Sequence, residues 1–225
     1  MLRYIYADQL ADLPRLAETM FQDRAAQFHT RLSWDVKVDD TGAERDEYDG
    51  LNPLYIIWER PDGTHGGSLR MLPTTGQTMM NDHFLDLTDG VRIESPLIWE
   101  CTRFCLAPGG SSNLSALLML GVLELGLNNH LEHIAGIFDA RMVRIYARAG
   151  WGPTILGTSG EGREAVSVGL WPCEARFRSR LLAKASVSSE LSSYWYHRAF
   201  GSCAGELAKI AETDILEAIS HLIHW

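Results

Sequence analysis

Residues 97–106 read L-I-W-E-C-T-R-F-C-L, an apolar, β-prone run that holds a glutamate and an arginine at its centre. Such a run folds as a strand, and Pro108-Gly109-Gly110 stops it. A carboxylate and a guanidinium in mid-strand are costly to bury unless paired. Each could be half of a structural ion pair. Glu100 and Arg103 are three apart, so a regular strand sends them to opposite faces. Both can serve one site only where the strand bulges or twists.

The surrounding pattern alternates strands with helices. Residues 2–6 and 54–59 are β-prone, and the second run enters a hairpin through P-D-G-T-H-G-G to S-L-R-M-L, which Pro73 ends. Asp8 is a candidate N-cap for a helix with apolar residues at Leu10, Leu13, Leu16, Ala17 and Met20. Arg24 and Phe28, four apart, share one face of a further helical stretch. Residues 33–50 are polar and acidic and read as a long loop of the kind that carries function. Ser111, Ser112 or Asn113 can cap an apolar helix through Leu127. That run contains Glu124 and is too short to span a membrane, so it predicts a buried helix. A strand at 132–138 and a basic helix at 139–148, ended by Gly150, follow. Residues 153–170 hold a turn and a strand, 176–190 are helical, and 205–223 are amphipathic. This order suits an α/β domain with three α/β/α layers.

At 225 residues the chain is one domain, residues 1–225, large enough to bury a core without staples. A net charge of −9 argues against nonspecific nucleic-acid binding. Cys101, Cys105, Cys173 and Cys203 form no CxxC pair and read as free, mostly buried thiols. His130 and His133 have no evident third ligand and read as a helix end, so no metal is expected. The N-terminus M-L-R-Y-I-Y-A-D has no apolar run of signal-peptide length. The expectation is a cytoplasmic protein that binds neither membrane nor nucleic acid.

Arg24, Phe28, Trp34, Asp46, Asp49, Arg70, Glu100 and Arg103 follow in an order and at spacings with a counterpart. Together with R-M-L-P-T-T-G at 70–76 and W-E-C-T-R-F at 99–104, they resemble the LuxI-type acyl-homoserine-lactone synthases. The resemblance covers about residues 1–170. Cys101-Thr102 departs from a small or hydroxylated pair, and the chain after about residue 176 has no clear counterpart, so it reads as a C-terminal extension.

The resemblance implies an acetyltransferase-like mixed sheet, splayed near its middle, with helices on both faces. It implies transfer of a fatty acyl group to the amine of S-adenosylmethionine (SAM), then lactonisation with release of methylthioadenosine. SAM is a substrate, and no tightly bound cofactor is implied. Phe28 and Trp34 are credible walls around a sulfonium, with Arg24 beside them. Asp46 and Asp49 can attract positive groups, and Arg24, Arg70 or Arg103 can hold carboxylates. A free α-amino group has a pKa of about 7.7–8.0, so roughly a tenth is neutral at pH 7 and a modest base suffices. Glu100 is the candidate base, directly or through a water. Amides near 101–105 can steady the oxyanion.

The acyl chain needs an apolar tunnel, for which Leu72, Met79, Phe84, Trp99, Phe104, Leu118, Met119, Leu123 and Ile137 are candidates, though most could be plain core. Gly136 stands where a threonine accompanies 3-oxo acyl groups in the family, which favours an unsubstituted or 3-hydroxy chain. Arg141, Arg144 and Arg148 form a basic stripe on a helix, a dock for acidic acyl carrier protein or a plain solvated face. No Gln/Arg-x-x-Gly-x-Gly run is present, which favours the carrier protein as donor over acyl-CoA. Rival readings are an N-acyltransferase with another amine acceptor and a non-catalytic regulator that binds SAM or acyl carrier protein.

Overall fold

The apolar alternation at the N-terminus builds an antiparallel block. In the computed structural model, which describes residues 1–110 and 113–201, β1 (Leu2–Tyr6) pairs with β2 (Leu54–Glu59). β2 pairs with β3 (His65–Pro73), and β3 with β4 (Ile98–Leu106). β5 (His133–Asp139) runs parallel to β4. β6 (Thr154–Ser159) and β7 (Val166–Pro172) form an antiparallel pair that joins β5 through β7. The sheet order is β1-β2-β3-β4-β5-β7-β6.

The parallel pair is short. Its register runs from Ile98↔His133 to Cys101↔Gly136 and stops, so the second half of β4 parts from β5. This is the mixed sheet, splayed at its middle, that the resemblance implies.

Seven helices flank the sheet: α1 (Ala7–Leu10), α2 (Pro14–Ala25), α3 (Met79–His83), α4 (Leu114–Asn128), α5 (Ala140–Ala149), α6 (Arg178–Ala185) and α7 (Ser189–Phe200), counted among the described residues. Leu2, Tyr4, Leu54, Ile56, Leu69 and Met71 pack on α4, which is apolar all round and buried accordingly. Ile5, Tyr55 and Ile57 point the other way and pack on α2. Three layers result. No helix among the described residues is long and apolar enough to cross a membrane.

Several local expectations change. Asp8 is not an N-cap. Pro14 opens a second helix at its first turn, where a missing N–H does no harm, and Asp8 instead accepts from the Gln9 amide at 2.8 Å. The hairpin turn is shorter than P-D-G-T-H-G-G, because His65-Gly66-Gly67 already belong to β3. A Cβ on Gly66 would lie 2.6 Å from the Trp58 ring. Residues 153–170 hold two strands rather than one. Residues 176–190 end their helix at Ser186, in the left-handed region, and Ser188 caps α7 through the Leu191 amide at 3.2 Å. Ser111, Ser112, Cys203 and the amphipathic run at 205–223 lie outside the described residues.

α7 is tied to the core through Glu124, the one acid in the apolar helix. Ser192 donates to its carboxylate at 2.6 Å and Arg178 at 2.9 Å. Tyr196 meets Tyr4 edge-on at 5.5 Å and Trp195 meets Trp58 at 5.9 Å.

Candidate functional site

β4 carries a bulge. Its pairing with β3 steps from Ser68↔Cys105 to Arg70↔Thr102, so two residues of β4 stand opposite one of β3. Arg103 has φ +54°, a left-handed conformation that costs a non-glycine residue about 1–3 kcal/mol. The bulge resolves the spacing conflict between Glu100 and Arg103. Both now reach Met79 of α3: its amide donates to Glu100 at 3.1 Å, and Arg103 Nη1 lies 3.6 Å from its sulfur.

Behind the bulge stands a lattice of three guanidiniums and three carboxylates. Arg24, from α2, donates to Glu44 at 2.5 Å and holds Asp49 with two bonds of 2.9 Å. Arg70, from β3, pairs with Asp46, with Asp49 at 2.9 Å and with Thr102 Oγ1 at 3.1 Å. Arg103 closes the lattice on Glu44 at 3.0 Å and Asp46 at 2.8 Å. Tyr55 donates to Asp49 at 2.6 Å. Arg24, Glu44 and Arg70 are at most 1% exposed, a burial tolerable only because each charge is paired. Burial alone would raise Asp49, but the hydrogen bonds and charge of Arg24, with the charge of Arg70, hold it well below the usual carboxylate range.

The D-x-x-D spacing has a local cause. Asp46 caps a 3-10 turn at Glu47–Leu51, accepting from the Tyr48 and Asp49 amides at 3.0 and 3.2 Å, and Asp49 accepts back from the Asp46 amide at 2.9 Å. The two carboxylates thus fix their own loop before they meet the arginines. Glu44 is the residue that sequence reasoning missed. It is one acid among several in a polar loop, and only the count of three arginines against two aspartates hints at a third partner.

Phe28 lies on a π-helical turn at Ala26–Arg31, and its ring stacks on Trp34 at 5.2 Å and 11°. Arg103 sits 5.6 Å from the Phe28 ring centroid. Phe28 is buried, whereas Trp34 is 39% exposed.

These rings border a cavity of about 890 Å³ that follows the splay of the sheet. Its outer end carries Phe28, Arg31, Trp34, Asp35, Asp46, Glu47 and His83. Its inner end is apolar, with Leu69, Cys101, Val122, Ile134, Phe138, Tyr146 and Trp171. Of the expected acyl wall, Met79, Phe84, Phe104, Met119, Gly136 and Ile137 line it. Leu72, Trp99, Leu118 and Leu123 do not. Leu118 and Leu123 are fully enclosed by α4's own packing, where Met119 and Val122 instead face the cavity. Trp99 lies where β4 is still paired to Ile134, and Leu72 stands opposite Glu100 on β3. A Cβ on Gly136 would lie 3.2 Å from both the Cys101 carbonyl and the Trp171 ring.

Glu100 is fully buried and stands behind the cavity wall rather than on it, as do Arg24, Asp49 and Arg70. The Met79 and Met80 amides donate to its carboxyl at 3.1 and 2.6 Å. Burial outweighs these bonds and pushes its pKa up to about 7.

Arg141, Arg144 and Arg148 are exposed on α5. Of the three, Arg141 lines the cavity, and it pairs with Asp139 at 2.7 Å. Asp139 also caps α5 through the Arg141 amide at 2.9 Å.

A family model described as autoinducer synthase matches residues 10–181. A protein of Rhizobium etli named acyl-homoserine-lactone synthase is 42% identical over 182 residues, covering 78% of this chain and 85% of its own. The solved synthase LasI is 27% identical, with a TM-score of 0.71, covering 81% of this chain and 94% of its own. A CoA-dependent acyl-homoserine lactone synthase, BjaI, solved with SAM and isopentyl-CoA, is 23% identical, with a TM-score of 0.74, covering 84% and 90%.

Proposed function

The chain belongs to the autoinducer synthase family, and we propose the route by which it joins an acyl group to SAM inside the splayed sheet. It is an acyltransferase, an acyl-homoserine-lactone synthase that takes SAM as substrate. One observation carries the route: a single cavity is lined by aromatic and acidic residues and by apolar ones, and Thr102, Arg103 and Phe104 at the bulge of β4 line it too.

SAM sits at the outer end, with its sulfonium against the Phe28–Trp34 stack. Arg24, Arg70 and Arg103 are already engaged by Asp46, Asp49 and Glu44. Their role is therefore to hold the bulge and the loop rather than to grip the substrate. Arg31, on the same π-helical turn as Phe28 and on the cavity wall, holds the substrate carboxylate. Asp46 and Glu47 on the wall favour the ammonium.

The amine gives its proton toward Glu100, which with a pKa of about 7 is half ionised near neutrality. The nitrogen attacks the acyl carbon of the thioester and the thiol departs. The homoserine carboxylate then attacks its own γ-carbon, the C–S bond breaks, and methylthioadenosine leaves. That step is intramolecular, so positioning lowers its barrier. The acyl chain lies along Met79, Phe104, Met119 and Ile137.

The donor is acyl carrier protein, docked on the exposed stripe of Arg141, Arg144 and Arg148. Mass spectrometry of spent medium from a heterologous host tests the reading. Acyl-homoserine lactones from the wild type and none from Glu100→Gln are expected, and purified protein should prefer acyl carrier protein to acyl-CoA. An acylated product without methylthioadenosine would point to another amine acceptor. Tight SAM binding without turnover on any donor would point to a regulator.

A further inference from the structure

Glu100 as the base has an access problem. Its carboxyl is 0% exposed and off the cavity wall, while Met79, Cys101 and Thr102 around it are on that wall. A proton leaving an amine in the cavity has to cross this gap. The carboxyl is held by the first two amides of α3, those of Met79 and Met80. Amides in a helix's first turn are ordinarily served by the side chain of the residue that precedes the helix. That residue is Thr78, and it makes no such bond. Glu100 has taken over the capping from another strand. The Thr78 hydroxyl is left fully buried and without a protein partner. Buried hydroxyls in that position are satisfied by water or by a ligand.

We propose that Thr78 is a positioning residue whose hydroxyl orders the water that carries the substrate's proton to Glu100. The inference rests on the reading of Glu100 as the base. Thr78 directly precedes Met79, whose amide touches Glu100 at 3.1 Å. Covalent geometry therefore keeps its hydroxyl within about 8 Å of the carboxyl, the span of one or two hydrogen-bonded waters. The substrate ammonium gives one proton through this water to Glu100. The freed lone pair forms the C–N bond, the C–S bond breaks, and the second amine proton leaves with the thiol. Glu100 then returns its proton to solvent by the same path.

A merely structural threonine makes the opposite prediction. A buried hydroxyl without a protein partner adds nothing to stability, so Thr78→Val should melt at or above the wild-type temperature. Its kcat should nevertheless fall roughly tenfold or more, with the acidic limb of the pH profile displaced and KM for SAM little changed. Thr78→Ser should restore both rate and profile. Wild-type kcat and pH profile in Thr78→Val would overturn the proposal, and so would failure of that variant to fold, since the hydroxyl would then have a structural partner. Absence of lactone from the wild type would instead count against the synthase reading itself.

Discussion

Two buried polar networks share β3 and α2. One is the lattice of Arg24, Glu44, Asp46, Asp49, Arg70 and Arg103. The other is a chain of Asp23, His65 and Ser68. Asp23 meets His65 Nδ1 at 2.7 Å, and His65 Nε2 meets Ser68 Oγ at 2.9 Å. By connectivity alone the His65 chain is the stronger catalytic candidate, for it has the order of acid, base and nucleophile found in hydrolases. Yet His65 is 0% and Ser68 2% exposed, and none of the three lines the cavity at the splay. The lattice is as deeply buried, but through Asp46 and Arg103 it reaches the cavity wall. What separates a site from a brace here is access, not the identity or spacing of the groups.

The largest effect is expected at Glu44. Glu44→Ala leaves Arg24 and Arg103 short of a shared partner, which for a buried pair costs about 3–5 kcal/mol. Chemical denaturation should show a loss of that size together with loss of lactone synthesis. A small loss would mean that Asp46 and Asp49 suffice.

Glu100 and Asp49 should respond to pH in opposite directions. The pKa of Glu100 is raised by folding, from the ordinary glutamate range to about 7. Its contribution to stability is fully present below the unfolded pKa and is lost as pH rises through about 7, by about 3 kcal/mol. Asp49 is held low, so its contribution is present at neutral pH and lost on acidification. Glu100→Gln should therefore flatten the stability curve between about pH 4.5 and 7.5 and leave the acid fall intact. An unchanged slope would place the Glu100 carboxyl in a wetter setting.

Ser68→Ala should have the smallest effect. Removing one hydrogen-bond partner of His65 costs about 1–2 kcal/mol, read from the denaturation midpoint. Turnover should stay within about twofold, since the chain does not touch the cavity.

Most of the scaffold was legible from residue pattern. The runs at 2–6, 54–59 and 97–106 became β1, β2 and β4, and the apolar run from Leu114 became α4. β6 was not legible, because it is an exposed edge strand with little apolar alternation. Its Gly157 passes so close to the Leu87 carbonyl that a Cβ would lie 2.0 Å away, a contact that only the tertiary fold creates. In the site, Arg24, Asp46, Asp49, Arg70 and Arg103 came together as one lattice, while Glu44 and Arg31 carried no distinguishing pattern. Part of the acyl wall was also hidden. Tyr146 and Trp171, from α5 and β7, line the cavity from elements far along the chain.

The most direct test of that distinction between site and brace is turnover of Glu100→Gln, whose carboxyl is bonded to the cavity-lining Met79, beside Ser68→Ala, read as methylthioadenosine release with SAM and acyl carrier protein bearing a panel of acyl chains. We expect Glu100→Gln to lose roughly 100-fold to 10,000-fold, within the range of a general base, while Ser68→Ala turns over like the wild type. Equal loss in both folded variants, or loss in Ser68→Ala alone, would contradict the account and make the Asp23–His65–Ser68 chain part of the catalytic site.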